Sequence, residues 1–177
     1  MTATRTETDS LGAREVPATA LYGVSTLRGH ENFDISSQKL GDAPELLKAL
    51  ARIKHAAAAA NRDIGVLPAV IADAIIAASK EVEGGLHRDQ FIVDLLEGSG
   101  GTSINMNMNE VLANRALQLL GGKPGNYARV HPNDHVNTGQ STNDVVPAAI
   151  KLAIHDKCEA VLAALRRLAD ALAERAD

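Results

Sequence analysis

The chain has 177 residues, of which 45% are apolar and 2% aromatic, with no Trp and a formal net charge of -4. That length and apolar share are enough for a buried core and exclude global disorder. With 18 basic against 22 acidic side chains and no basic block, neither nucleic acid nor an anionic membrane is implied as a partner.

A core this poor in aromatic rings must be built from Ala, Leu, Ile and Val, which suits closely packed helices. The single Cys158 rules out an intrachain disulfide and falls inside a helical pattern, where a passive role is expected. No metal-ligand spacing is present. There is no apolar run long enough for a membrane span and no secretory apolar region at the start, so a cytoplasmic location is expected.

Residues 1–9 are polar and are expected to fray. From Thr8 to Val24 the spacing of Gly12, Pro17 and Gly23 marks turns between very short extended pieces. Arg28 has a planar fork suited to a carboxylate ligand, or to a surface pair with Glu31. Asp42-Ala43-Pro44-Glu45 reads as a helix start, with Asp42 or a neighbour as the cap. Leu46, Leu47, Leu50, Ile53 and Lys54 follow at helical spacing, the Ala56–Ala60 block extends the run, and Gly65 and Pro68 end it. A second helix runs from about Pro68 to Val82 with Val70, Ile71, Ala74, Ile75 and Ala78 as its stripe. His87 reads as a local hydrogen-bonding residue, and Phe91–Leu96 fits either a strand or an extended connector.

Gly98-Ser99-Gly100-Gly101-Thr102-Ser103-Ile104-Asn105 is a Gly-rich loop at a helix N-terminus, an anion cradle by type. It lacks the spacing and the Lys of a P-loop, which disfavours a nucleotide site. The helix behind it continues to Leu120, and Gly121-Gly122 stops it. Then comes the polar stretch from His131 to Asp144, either a small-anion site or an ordinary loop and cap, with Thr142, Asn143 or Asp144 as cap and Pro147 in the first turn. Beyond it Ile150, Ile154, Val161, Leu165, Leu168 and Leu172 form a near-heptad seam, which predicts a long helix that needs bundle partners.

Four blocks together carry a resemblance: Glu7-Thr8-Asp9-Ser10-Leu11-Gly12 with Glu15-Val16-Pro17; Tyr22 to Arg28 with Glu31-Asn32-Phe33; Gly98 to Asn114; and His131 to Asn137 with Gln140 to Asp144. They resemble the N-terminal part of the aspartase/fumarase superfamily, in the family's order and over nearly the whole chain. Tyr22-Gly23-Val24-Ser25-Thr26-Leu27-Arg28 and Ser141-Thr142-Asn143 resemble the aspartase side of that family, where class II fumarases typically carry Trp-Gly-x-x-Thr-Gln-Arg and Ser-Ser-Asn.

The resemblance implies a mainly α fold: an N-terminal lyase domain with short strands over residues 1–140, then the first long helix of a central bundle over 141–177. It implies reversible anti elimination of ammonia from L-aspartate to give fumarate, without an organic cofactor, in a cytoplasmic homotetramer. Class II fumarase or another lyase of the superfamily, and a non-catalytic helical assembly module, are the alternatives. By motif, Thr102, Ser141 and Thr142 are implied as donors to the substrate carboxylate on which charge develops. Asn143 is implied as a substrate contact, and Ser103 and Asn105 as secondary contacts. His131, Asn133 and Asp134 resemble a peripheral anion site. The family's base, a serine on a Gly-Ser-Ser-x-Met-Pro-x-Lys-x-Asn-Pro loop, and its mid-chain Thr-His pair have no counterpart in these 177 residues. The chain is therefore expected to be a fragment, inactive alone.

Overall fold

The computed structural model describes residues 3–176. The architecture is mainly helical, with one two-stranded sheet at the start. Strands β1 (Thr4–Asp9) and β2 (Gly12–Pro17) form an antiparallel hairpin with Thr4 opposite Pro17 and Asp9 opposite Gly12. Gly12 takes φ +107°, which lets the chain turn back within two residues.

The expected fraying of residues 1–9 is thus wrong for Thr4–Asp9, because the strand's polar groups are bonded across the chain. Arg5 donates to the Glu7 carboxylate at 2.8 Å and to the carbonyls of Pro17, Ala20 and Tyr22 at 2.9, 2.7 and 2.8 Å. Glu7 is buried and accepts from the Val24 amide at 2.9 Å and from the Tyr127 hydroxyl.

Helix α1 (Val24–Asn32) follows, and its sequence supplies no cap, since Gly23 has no side chain. Glu110 does the capping instead. Its buried carboxylate accepts from the amides of Gly23, Ser25 and Thr26 at 2.8, 2.9 and 3.0 Å and from the Thr26 hydroxyl at 2.6 Å. Burial raises the Glu110 pKa and these donors oppose the rise. Gly23 is fixed by the same crowding: a Cβ there would lie 2.5 Å from the Tyr127 hydroxyl and 2.6 Å from a Glu7 oxygen. Gly23→Ala is expected to lower stability by about 2–3 kcal/mol, read from the urea midpoint.

Helices α2 (Pro44–Asp63) and α3 (Ala69–Glu83) form an antiparallel pair. Leu47, Leu50, Ala51 and Ala58 on one and Ala72, Ile75, Ala78 and Val82 on the other are buried, and the small side chains allow close approach. Ala43, not Asp42, precedes the first turn of α2. Asp42 instead accepts from the Lys39 amide at 2.9 Å and closes the short 3-10 turn Leu40–Asp42. Phe91–Leu96 is a connector, touched by one isolated bridge between Lys39 and Asp94.

Helix α4 (Thr102–Leu119) is the centre of the fold and is buried nearly all round. Its polar side chains therefore need partners, and several find them in connectors. Asn107 donates to the Gln90 carbonyl at 3.0 Å; Asn114 donates to the Leu21 carbonyl at 2.8 Å and accepts from the Gly125 amide at 2.7 Å.

Helix α5 (Thr142–Ala176) has 35 residues and is about 52 Å long at 1.5 Å per residue. Val145, Val146, Ala149 and Ala153 are buried, and Arg52 meets Asp156 at 2.8 Å. Beyond Lys157, which pairs with Glu45 at 3.4 Å, the helix stands clear, and the predicted seam from Ile150 to Leu172 is exposed along its whole length. Pro147 lies inside the helix rather than in its first turn. Among the described residues no helix is long and apolar enough to cross a membrane.

Candidate functional site

The first turns of α4 and α5 lie side by side. Gly101, with φ +94°, precedes α4, and a Cβ there would lie 3.1 Å from three carbons of Val146 in α5. Close approach and positive φ both require glycine at this position. One turn further on, Asn105 Nδ2 donates to Thr142 Oγ1 at 3.0 Å. Two helix N-termini, each a positive dipole end, are thereby brought together.

Ser141 is the residue that caps α5: its Oγ accepts from the Asn143 amide at 3.2 Å. This places the cap one residue before Thr142, Asn143 and Asp144, because Ser141 keeps its backbone outside the helix while its hydroxyl reaches the second helical amide. Thr102, Ser141 and Asn143 are exposed and Thr142 is half-buried. Ser103 is buried, with its Oγ 3.1 Å from the Ser99 Oγ and against Gly29 of α1. Asn105 is buried, and its Oδ1 has no hydrogen-bond partner among the described residues.

The Gly-rich loop holds a carboxylate of its own chain. Glu97 accepts from the amides of Ser99 and Ser103 at 3.2 and 3.3 Å, and also from the Gly101 amide and the Ser99 hydroxyl. The loop therefore has the donor arrangement expected of an anion cradle.

Arg28, on α1, ties that helix to the hairpin. Its guanidinium takes Asp9 in a two-pronged pair at 2.7 and 2.9 Å and donates to the Gly12 carbonyl at 2.9 Å, and this pairing lowers the Asp9 pKa. Glu31 pairs with Arg14 at 3.4 Å, so the anticipated Arg28–Glu31 pair does not form. A cavity of about 550 Å³ between the hairpin and α1 is lined by Arg28 and by Ser103, and by none of Thr102, Asn105, Ser141, Thr142 or Asn143.

His131, Asn133 and Asp134 form a local turn. The His131 Nδ1 accepts from the amides of Asn133 and Asp134 at 3.2 Å each, which caps a π-helical turn over Pro132–Val136. Asp134 lies 3.5 Å from the same ring nitrogen. His87 bonds locally to Glu81 at 2.8 Å, and Cys158 is exposed on α5. Among the described residues no group of His, Cys, Asp or Glu could hold a metal ion.

Lys54 is the residue the motifs missed. It is 0% exposed, on the buried face of α2. Its Nζ donates to Asn137 Oδ1 at 2.8 Å and to Gln140 Oε1 at 2.9 Å, both in the loop before Ser141. Burial without a carboxylate partner pulls its pKa from the usual 10.5 down to about 7. The signal was its register: Lys54 continues the inward row Leu47, Leu50, Ala51 and Ala58.

A family model described as Lyase matches residues 12–177. Over 173 residues the chain is 47% identical to the aspartate ammonia-lyase of Escherichia coli (strain K12), an alignment covering 97% of this chain and 36% of that protein. It is 49% identical over 174 residues to the class II fumarate hydratase of Ralstonia nicotianae, covering 98% and 37%. In three dimensions it is similar to fumarate lyase:delta crystallin from Brucella melitensis in native form, with a TM-score of 0.91 and 50% identity over 93% of this chain and 37% of that one. The chain thus spans little more than a third of the length of these relatives.

Proposed function

Because the chain belongs to the lyase family of the aspartase/fumarase superfamily, we propose that it forms one wall of a site for a four-carbon dicarboxylate, in a protein that eliminates ammonia reversibly from L-aspartate to give fumarate. The observation that carries this reading is the pairing of two helix N-termini, with Thr102 at the start of α4 and Ser141 and Thr142 at the start of α5.

In the elimination a base removes a proton from the carbon next to the β-carboxylate, electron density moves onto that carboxylate, and the C–N bond breaks to release ammonia. Catalysis needs donors placed where the carboxylate oxygens gain charge. Thr102, Ser141 and Thr142 fill that role, and Asn143, exposed in the first turn of α5, contacts the α-amino or α-carboxylate side. Ser103 shapes the loop, and Asn105 reaches the site through Thr142. The base is supplied outside these 177 residues, on the family's serine loop, and the complete site is shared between subunits of a homotetramer. Residues 1–140 act as the N-terminal domain and 141–177 open the central bundle, whose partner helices cover the α5 seam. His131, Asn133 and Asp134 make a separate peripheral anion site, in which the His131 Nδ1 is already engaged by the turn.

Hydration chemistry is the second reading, since the identity to a class II fumarate hydratase, 49%, matches that to an aspartate ammonia-lyase, 47%. The test uses a chain carrying these residues together with the serine loop. Fumarate formation, followed by ultraviolet absorbance, is expected from L-aspartate and not from L-malate. Thr142→Val is expected to reduce kcat about 100-fold. Turnover of L-malate alone would establish the hydratase reading. Steady fumarate production by the 177-residue chain itself would overturn the placement of the base.

A further inference from the structure

The donors and acceptors between α2 and α5 form a directed chain. Lys54 Nζ donates to Asn137 Oδ1 at 2.8 Å, Asn105 Nδ2 donates to the same oxygen at 3.2 Å, and Asn105 Nδ2 donates to Thr142 Oγ1 at 3.0 Å. A charged lysine amine has three donors and no acceptor. Facing the charged amine, the form held below about pH 7, Asn137 must therefore present its oxygen, and its Nδ2 is turned to the Gln140 carbonyl at 3.1 Å. That oxygen then requires a donor from Asn105, which fixes the second amide as well. A flip of Asn105 would set two carbonyl oxygens against each other, and a flip of Asn137 would set an NH2 group against the ammonium.

The last member is Thr142. Its oxygen accepts from Asn105, so its own proton is not used inward. The chain leaves a mark: Asn105 Oδ1 is buried without a partner among the described residues. A free-standing Asn105 would turn that oxygen toward the Thr142 hydroxyl and satisfy it, so the observed orientation is one that its neighbours impose. Gln140 takes a second Lys54 donor at 2.9 Å and anchors its own NH2 on the Val136 carbonyl at 2.9 Å, which holds the loop before Ser141 to the same amine.

We propose that Lys54 is a positioning residue for the Ser141–Thr142 wall: it sets the direction of the chain through Asn137 and Asn105 so that Thr142 accepts inward and keeps its hydroxyl proton for a bound carboxylate. The ligand side of this assignment rests on the reading of that wall given above; the direction of the chain does not.

Two measurements test it. Neutron diffraction of the perdeuterated protein at pH 6 locates the hydroxyl deuteron of Thr142. The expected position points away from Asn105; a deuteron on the line to Asn105 overturns the proposal whatever the protein binds. The second is a double-mutant cycle on fumarate affinity with Lys54→Met and Thr142→Val, made in the chain that also carries the serine loop. Lys54→Met is expected to weaken binding about tenfold when Thr142 is present and less than twofold in the Thr142→Val background. Equal losses in both backgrounds would show that Lys54 merely supports the fold and would overturn the proposal. A wild-type protein that shows the expected deuteron but no affinity for fumarate would retain the directed chain and remove the dicarboxylate reading.

Discussion

Glu110→Ala is expected to lower the stability of the protein by about 3–5 kcal/mol and its Tm by roughly 10 °C. The carboxylate is 2% exposed and satisfies the Gly23, Ser25 and Thr26 amides and the Thr26 hydroxyl. Removing it leaves these donors facing a cavity and takes the negative charge from the positive end of α1. Glu110→Gln separates the contributions. It keeps the volume but brings an NH2 group against amides that donate, so a loss of about 2 kcal/mol is expected. Thermal unfolding by far-ultraviolet circular dichroism reads both. A Gln variant as stable as wild type would show that the carboxylate's second oxygen contributes nothing.

The second large effect is a pH dependence tied to Lys54. In the unfolded chain the amine titrates near 10.5, and in the fold near 7. Between those values the unfolded chain holds a proton that the folded protein has shed, so unfolding takes up a proton. Raising the pH from about 7 toward 10 therefore favours the folded state, and below about 7 the full desolvation penalty is present. The span is on the order of 3–5 kcal/mol. Other groups titrate in this window, so the quantity to measure is the difference between wild type and Lys54→Met in urea unfolding free energy from pH 6 to 9.5. The difference is expected to move in favour of wild type as pH rises. A constant difference would place the Lys54 pKa in the ordinary lysine range.

Four helices, α2 to α5, were readable from local pattern alone, α4 ending within one residue of the expected Leu120. In α2, α3 and α5 the apolar period, Pro44 and the Gly65-to-Pro68 punctuation agree with the fold to within a residue or so at most ends. Helix α1 was not readable, since its cap comes from Glu110, 84 residues away from Thr26. The first strand was misjudged for a related reason: its polar side chains look solvated in sequence, but Arg5 and Glu7 bond to groups 10 or more positions distant. The motifs named the hydroxyls and the Asn105 that the two helix starts bring together. They did not deliver Lys54, because a lysine beside an apolar stripe ordinarily extends its head into water. Its loop partners Asn137 and Gln140 lay in the quoted motif without an assigned role.

The cap that Glu110 places on α1 also sets an order of assembly. Gly23 and Thr26 must wait for a side chain 87 and 84 positions later, the Leu21 carbonyl for Asn114 at 93, and Glu7 for Tyr127 at 120. Closing loops of that length precedes any reward from the contacts, which makes it a slow event. During synthesis the hairpin and α1 leave the ribosome first, yet α4 must be in place before they can dock. The hairpin and α1 thus stay open to proteases and hydrogen exchange until α4 and Tyr127 have followed them.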